Sequence, residues 1–288
     1  MKTATITGFI AILLWSLLAL LTVGSRPIPP FQLNAICFGI GGIIGVVWMM
    51  AKGKKTAPLM RLPLKYWFLG IGGLFGYHAL YFSALRLAPA AEASLIAYLW
   101  PLLIVLFSGL LPNEQLRFGH LIGALIAFAG AGLIVISGNA TSLEWSYLAG
   151  YILALLAAFT WSGYSVLSRL AGNVPTQAVA LFCLGTSVLS LLAHLSFETT
   201  QWPSSQFGWI SVLALGAGPV GLAFYLWDVG VKKGNIQLLG VASYAAPLFS
   251  TIILVATGYA KAHSSLLIAS ILITIGALLA AHANKSRR

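Results

Sequence analysis

Acidic residues are nearly missing from this chain, with five Asp and Glu in 288 positions, and charged residues of every kind reach only 7%. A water-soluble chain of this length cannot cover its surface with so little charge. Cysteine is almost absent too. Cys37 and Cys183 stand far apart without metal-ligand spacing around them, so a zinc site or a disulfide framework is not expected. Both read as small buried hydrophobes. No Walker sequence occurs, which excludes direct drive by ATP. The glycine-rich runs at 39–42 and 70–76 sit inside apolar stretches, without the strand–turn–helix setting of a dinucleotide site. No catalytic constellation, metal or cofactor is therefore expected, and the chain does not read as an enzyme.

Hydrophobic residues fill the gap, at 59% of positions. A bilayer-spanning helix needs roughly 20 mostly apolar residues, and such stretches recur near 5–24, 31–51, 65–86, 89–111, 118–137, 146–169, 176–197, 207–230, 235–257 and 264–282. The connections are short, as in 25–30, 52–63, 112–115 and 138–144, and none could hold a folded domain. The pattern predicts one all-α membrane domain over 1–288 with ten transmembrane helices in a lipid bilayer. Residues 1–24 resemble a secretory signal when read alone, with Lys2 ahead of an apolar run. Nine similar segments follow, so the first is expected to be a retained helix.

Charge sets the expected orientation. With the N-terminus in the cytoplasm, the inside collects Lys2, Lys52, Lys54, Lys55, Arg61, Lys65, Arg117, Arg169, Lys232, Lys233, Lys285, Arg287 and Arg288. The outside receives only Arg26, Arg86 and Lys261. That bias predicts both termini on the cytoplasmic side. The net charge of +11 is thus a topology signal. A nucleic-acid partner is not expected, because the cations are scattered over loop ends rather than gathered on one face.

The chain also matches itself without gaps when shifted by 146 positions. Trp15-Ser16 falls on Trp161-Ser162, Pro29 on Pro175, Cys37 on Cys183 and Gly39 on Gly185. Gly70 and Gly72 fall on Gly216 and Gly218, Tyr98 and Pro101 on Tyr244 and Pro247, and Gly130 on Gly276. Halves of 1–142 and 143–288 would each hold five spans, an odd number, so the second enters the membrane upside down. This 5+5 inverted repeat is a common transporter architecture, with the substrate near the midplane between halves. Pro101 and Pro247 each follow a tyrosine by three residues in mid-span. A proline there removes a backbone hydrogen bond, and the pairing points to gating helices.

Mid-span aromatic and hydroxyl groups need partners in hydrocarbon and are expected to face inward. Tyr77, His78 and Tyr81 share one face of the third span. Trp161, Tyr164, Ser165 and Ser168 share one in the sixth. Trp15, Tyr98, Trp100, Phe224, Trp227, Ser243 and Tyr244 complete an expected aromatic-lined cavity suited to a small amphipathic ligand. Trp67, Trp145, Trp202 and Trp209 sit at span ends and read as interfacial belt residues. Gly41/Gly45, Gly72/Gly76 and Gly119/Gly123 read as close helix-packing surfaces. Ionisable candidates for coupling are His78, Asp228 and Glu92. Lys232 lies one turn from Asp228, where a helical ion pair is the simpler account, and His78 could instead donate to a substrate carboxylate.

The five-plus-five spans, the WS pair of spans one and six and the Pro-bearing spans four and nine resemble the drug/metabolite transporter superfamily, EamA type. Y-L-W-P at Tyr98–Pro101, W-D-V-G with the following G-N up to Asn235, and V-A-S-Y-A-A-P at Val241–Pro247 resemble its bacterial aromatic amino acid exporters. The resemblance covers essentially the whole chain. It implies a bacterial inner-membrane exporter of Phe, Trp, Tyr and other neutral amino acids, with a central cavity between the halves. Superfamily members often carry Glu at the end of both the fourth and ninth spans. Glu114 fills the first position here, but Ala260 the second. Export by alternating access is therefore the leading expectation. Efflux of cationic drugs or other small metabolites is the alternative. With so few carboxylates inside the spans, movement down the amino acid gradient without obligatory proton exchange is expected.

Overall fold

The computed structural model describes residues 2–112, 114–136, 144–261 and 264–285. Ten helices among them are long and apolar enough to cross a membrane: α1 (Lys2–Gly24), α2 (Pro30–Ala51), α3 (Leu64–Leu87), α4 (Ala90–Ser108), α5 (Phe118–Ile136), α6 (Trp145–Leu170), α7 (Ala178–Phe197), α8 (Gln206–Lys233), α9 (Ile236–Ala256) and α10 (Ser265–Ala283). These agree with the expected spans to within a few residues. Most of the connection expected at 138–144 lies outside the described residues.

The helices expose large apolar side chains and bury most of the polar groups they carry along with an apolar core. On α7, Val188, Leu191, Leu192 and Leu195 are exposed, while Cys183, Thr186, Ser190 and His194 are buried. Both sets recur at helical spacing, so one stripe faces each way. The outer stripe is solvated only by hydrocarbon. The inner stripe bonds to α2, where Asn34 Nδ2 donates to Ser190 Oγ at 2.7 Å and Ser187 Oγ to the Ala35 carbonyl at 2.6 Å.

Lipid is as apolar as leucine, so helix association rests on close backbone approach and interhelical hydrogen bonds. The α5–α10 pair uses the first device. A Cβ on Gly123 would lie 2.5 Å from the Gly276 carbonyl oxygen, one on Gly276 2.4 Å from that of Gly123, and one on Gly130 3.0 Å from that of Ala269. These contacts run antiparallel, and α2–α7, α3–α6 and α1–α8 pair antiparallel in the same way. Gly41 and Gly45 pack as expected against α8 and α7. The expected Gly72/Gly76 surface is corrected by one register. Gly72 meets nothing, whereas Gly70 and Gly73 receive the rings of Phe182 and Tyr164.

Four spans are interrupted. Helix α4 breaks at Tyr98–Leu99 and α9 at Ser243–Tyr244. In each, the proline three residues beyond the tyrosine cannot donate to the carbonyl four residues back. Next to Pro101, the Leu102 N–H donates to Tyr244 Oη at 3.1 Å, so a side chain of α9 bonds to the backbone of α4 beside the break. Helix α8 carries a π-helical turn at Gly218–Leu222 around Pro219. Helix α1 breaks at Ser16–Leu17 without a proline. There Trp15 Nε1 donates to the Pro219 carbonyl at 3.1 Å, tying the two irregular turns together.

Candidate functional site

The breaks in α1, α4 and α8 converge on a cluster of aromatic rings. Trp15 lies 5.7 Å from Trp161, 5.0 Å from Trp227, 6.3 Å from Trp100 and 6.2 Å from Phe224, centroid to centroid. Tyr77 lies 5.4 Å from Trp161 and stacks on Tyr81 at 5.9 Å. His78 completes the group at 5.2 Å from Tyr77 and 6.3 Å from Phe224. Tyr164 packs 5.3 Å from Trp161, and Ser165 accepts the Trp227 indole N–H at 3.1 Å.

Trp15, Tyr77, His78, Tyr81 and Tyr98 keep accessible surface, although their neighbours Trp100, Trp161, Phe224 and Trp227 are buried. Tyr81 Oη is bonded to Ser94 Oγ at 2.8 Å, which fixes one rim of the cluster on α4. Two rings were missed by sequence reasoning, Phe82 of α3, which lies 5.8 Å from His78, and Phe38. Phe38 of α2 stacks on Phe224 at 5.2 Å and meets His78 at 5.1 Å. Its only signal was adjacency to the repeated Cys37.

Tyr244 is brought elsewhere. It is fully buried between α4, α5 and α9, with its ring 5.8 Å from Phe128 and its hydroxyl taken by Leu102. Glu92 is buried at the start of α4 and receives a short hydrogen bond from the Tyr151 hydroxyl of α6. Asp228 is buried with Lys232, whose Nζ lies 2.8 Å from Oδ1, and Thr176 Oγ1 donates to Oδ2 at 2.7 Å. The helical ion pair expected for Asp228 is therefore present. Pro101 and Pro247 sit one turn beyond the breaks in α4 and α9.

Two further polar assemblies hold the helix ends. Arg169 at the end of α6 pairs with Glu114, and its Nη1 also donates to the carbonyls of Val231 at 2.7 Å and Gly234 at 2.9 Å. Gln237 of α9 donates to the same Glu114 carboxylate at 3.1 Å. One guanidinium thus joins the end of α6 to the connection after α4 and to the end of α8, whose C-terminal carbonyls it caps, and Gln237 brings α9 to the same carboxylate. In the second assembly, Glu198 accepts from the Phe31 and Gln32 N–H groups at 3.1 Å, from Arg86 at 2.7 Å and from His194 at 3.1 Å. It caps the start of α2 and binds it to α3 and α7.

Helices α4 and α9 meet unevenly. The Trp100–Ser108 segment packs on Ile236–Ala242, where Gly240 lies against the Pro101 carbonyl, Ile104 and Val105. Their other halves, Ala90–Ala97 and Ala245–Ala256, make no comparable contact among the described residues. The pair closes at the Arg169 end and diverges at the other.

The described residues thus form a polytopic helical bundle with an aromatic cluster, partly accessible, beside its broken helices. Residues 2–136 and again 148–281 match the EamA-like transporter family, and the chain belongs to that family of multi-pass membrane transporters. It is 51% identical over 281 residues to the aromatic amino acid exporter YddG of Ancylobacter novellus, covering 97% of each chain. It is 29% identical to the protein of the same name from Salmonella typhimurium, over 86% of each. The biotin transporter of Escherichia coli is 25% identical over 70% of this chain and 67% of its own. A solved crystal structure 51% identical in sequence superimposes with a TM-score of 0.92, covering 96% of this chain and 97% of that one.

Proposed function

We propose that the chain exports aromatic and other neutral amino acids across a bacterial inner membrane by alternating access. The aromatic cluster carries the reading. It is uncharged, it sits where α1, α3, α4, α6 and α8 meet, and it keeps accessible surface for a small amphipathic solute. The 51% identity to an exporter of that substrate class supports the assignment. Efflux of cationic drugs would call for a carboxylate at the cluster, and Glu92 and Asp228 are both engaged away from it. For the same reason neither is cast as a proton carrier, and transport follows the amino acid gradient. Purified protein in liposomes, offered labelled amino acids and cationic dyes, tests this. Amino acid flux without dye flux is the expected result, and dye flux alone overturns it.

The halves are an inverted repeat with both termini in the cytoplasm. The family match to two successive segments supports this, as does the antiparallel packing of α2 on α7 and of α5 on α10. Contacts recur at the 146-residue offset: Gly123 meets Gly276, and Gly130 meets the equivalent of Gly123, Ala269. Reporters fused at Asn284 and within 52–61 should score cytoplasmic, and one within 138–144 periplasmic. Opposite scores for the first two would break the scheme.

In this topology the Arg169–Glu114–Gln237 assembly lies on the cytoplasmic side, where α4 and α9 are closed. Their divergence on the periplasmic side corresponds to a cavity open outward, with Pro101 and Pro247 marking the flexing points. Trp161 stands between Trp15 and Tyr77 at the centre of the path. Trp161→Ala should lower export by about tenfold or more, as loss of a central tryptophan anchor does, with insertion and folding retained. Normal export by this variant would move the path elsewhere.

A further inference from the structure

The walls of the aromatic cluster are equivalent in position but not in chemistry. At the 146-residue offset, His78 corresponds to Phe224, Tyr81 to Trp227 and Tyr77 to Ala223. The α3 wall thus bears two hydroxyls and an imidazole where the α8 wall bears a benzyl and an indole ring. The Trp227 N–H is already given to Ser165 and the Trp15 N–H to Pro219. An amphipathic solute between these walls has one orientation that pairs its polar end.

His78 decides which polar group that end should be. Its Nδ1 lies 2.7 Å from the Leu74 carbonyl oxygen. A carbonyl only accepts, so Nδ1 carries the hydrogen, and the neutral ring presents Nε2 as a bare lone pair. Among the described residues no protein group bonds to Nε2. The ring keeps accessible surface while Phe38, Tyr77, Phe82 and Phe224 surround it. The hydroxyls of Tyr77 and Tyr98 can donate or accept and discriminate little. His78 Nε2 can only accept. The indole N–H groups of Trp100 and Trp161, which have no protein acceptor among the described residues, can only donate.

We propose that His78 Nε2 accepts a hydrogen bond from the α-ammonium of the transported molecule, making His78 the residue that selects for a primary amine. This rests on reading the cluster as the substrate site. The ammonium sits at the α3 wall, the side chain lies against Phe224 and Trp227, and the indole N–H groups of Trp100 and Trp161 are left for the carboxylate. A molecule bearing only a carboxylate can pair with those indole N–H groups but leaves the Nε2 lone pair without a donor, a loss that sites built on hydrogen bonds penalise.

The test is competition against labelled tryptophan on the purified full-length protein, using tryptamine and indole-3-propionate. Tryptamine should compete, and at least tenfold of its competition should depend on the His78 acceptor, the scale of one hydrogen bond to a charged group, whereas that of indole-3-propionate should not. His78→Asn keeps a donor toward Leu74 but is too short to place its amide oxygen at the Nε2 position, and should weaken tryptophan and tryptamine but not indole-3-propionate. His78→Gln restores an acceptor near the Nε2 position and should recover tryptamine competition. Tryptamine competition that survives His78→Asn, or a loss in that variant that is equal for both analogues, overturns the proposal while leaving the export reading intact. Failure of labelled tryptophan to bind the unaltered protein overturns both.

Discussion

Gly276→Leu should lower the stability of the folded protein by about 3 kcal/mol, the upper range for overpacking a tight contact. A side chain there cannot simply rotate away. The first carbon already falls 2.4 Å from the backbone oxygen of Gly123 and 2.8 Å from the Ala127 methyl, and helix backbones do not yield locally. Helices α5 and α10 must separate, taking with them the small-residue contact that stands in for a hydrophobic driving force in lipid. Gly72→Leu is the matched control. It places the same side chain on a membrane helix where nothing lies within reach, and should be tolerated. Thermal unfolding of both variants in one detergent measures the difference. Equal melting temperatures would mean that this interface contributes little.

The second large effect is expected from Arg169→Met. The guanidinium links the Glu114 carboxylate to the carbonyls of Val231 and Gly234, with only 19% of its side chain accessible. Removing one partner of a buried pair costs about 3 kcal/mol, because the other charge keeps its desolvation penalty. That loss falls on the closed end of α4 and α9. Each 1.4 kcal/mol withdrawn from a closed state raises its open population about tenfold. Val105 is buried in the contact with Gly240, so a Val105→Cys reporter should react with an impermeant maleimide at least tenfold faster in the Arg169→Met background. The positions equivalent to Glu114, Arg169 and Gln237 in the other half are Ala260, Val23 and Ala91, none of which can form such a link. The arrangement therefore has no counterpart at the equivalent positions, in accord with the divergence of α4 and α9 at the other end. Unchanged labelling would show that the assembly braces the fold without governing access.

Span number and extent were legible because hydrocarbon imposes a length and a composition that few soluble segments share. The breaks in α4 and α9 were legible through Pro101 and Pro247, since a missing N–H is a property of the residue itself. The break in α1 was not, because Ser16 and Leu17 carry no such mark and the turn is held by Trp15 reaching Pro219 across the fold. Register within glycine runs was ambiguous for a related reason. In Gly70, Gly72, Gly73 and Gly76 the spacing admits more than one helix face, and only the partners Phe182 and Tyr164 choose it. Equivalence at the repeat offset was a poor guide to surroundings in one instance. Tyr98 keeps accessible surface, whereas Tyr244 is fully enclosed and bonded to Leu102. The polar assemblies at the helix ends join residues far apart in sequence, so Arg169 and Arg86 could be read only as topology markers.

Trp15 and Trp161, one from each half, touch at the centre of the cluster. The two residues are also equivalent at the 146-residue offset, so both segments bring the same ring to the same point, whereas His78 and Phe224, equivalent in the same way, differ in chemistry. Any molecule lying between α3 and α8 therefore meets unlike surfaces, and turning it end for end does not reproduce its contacts.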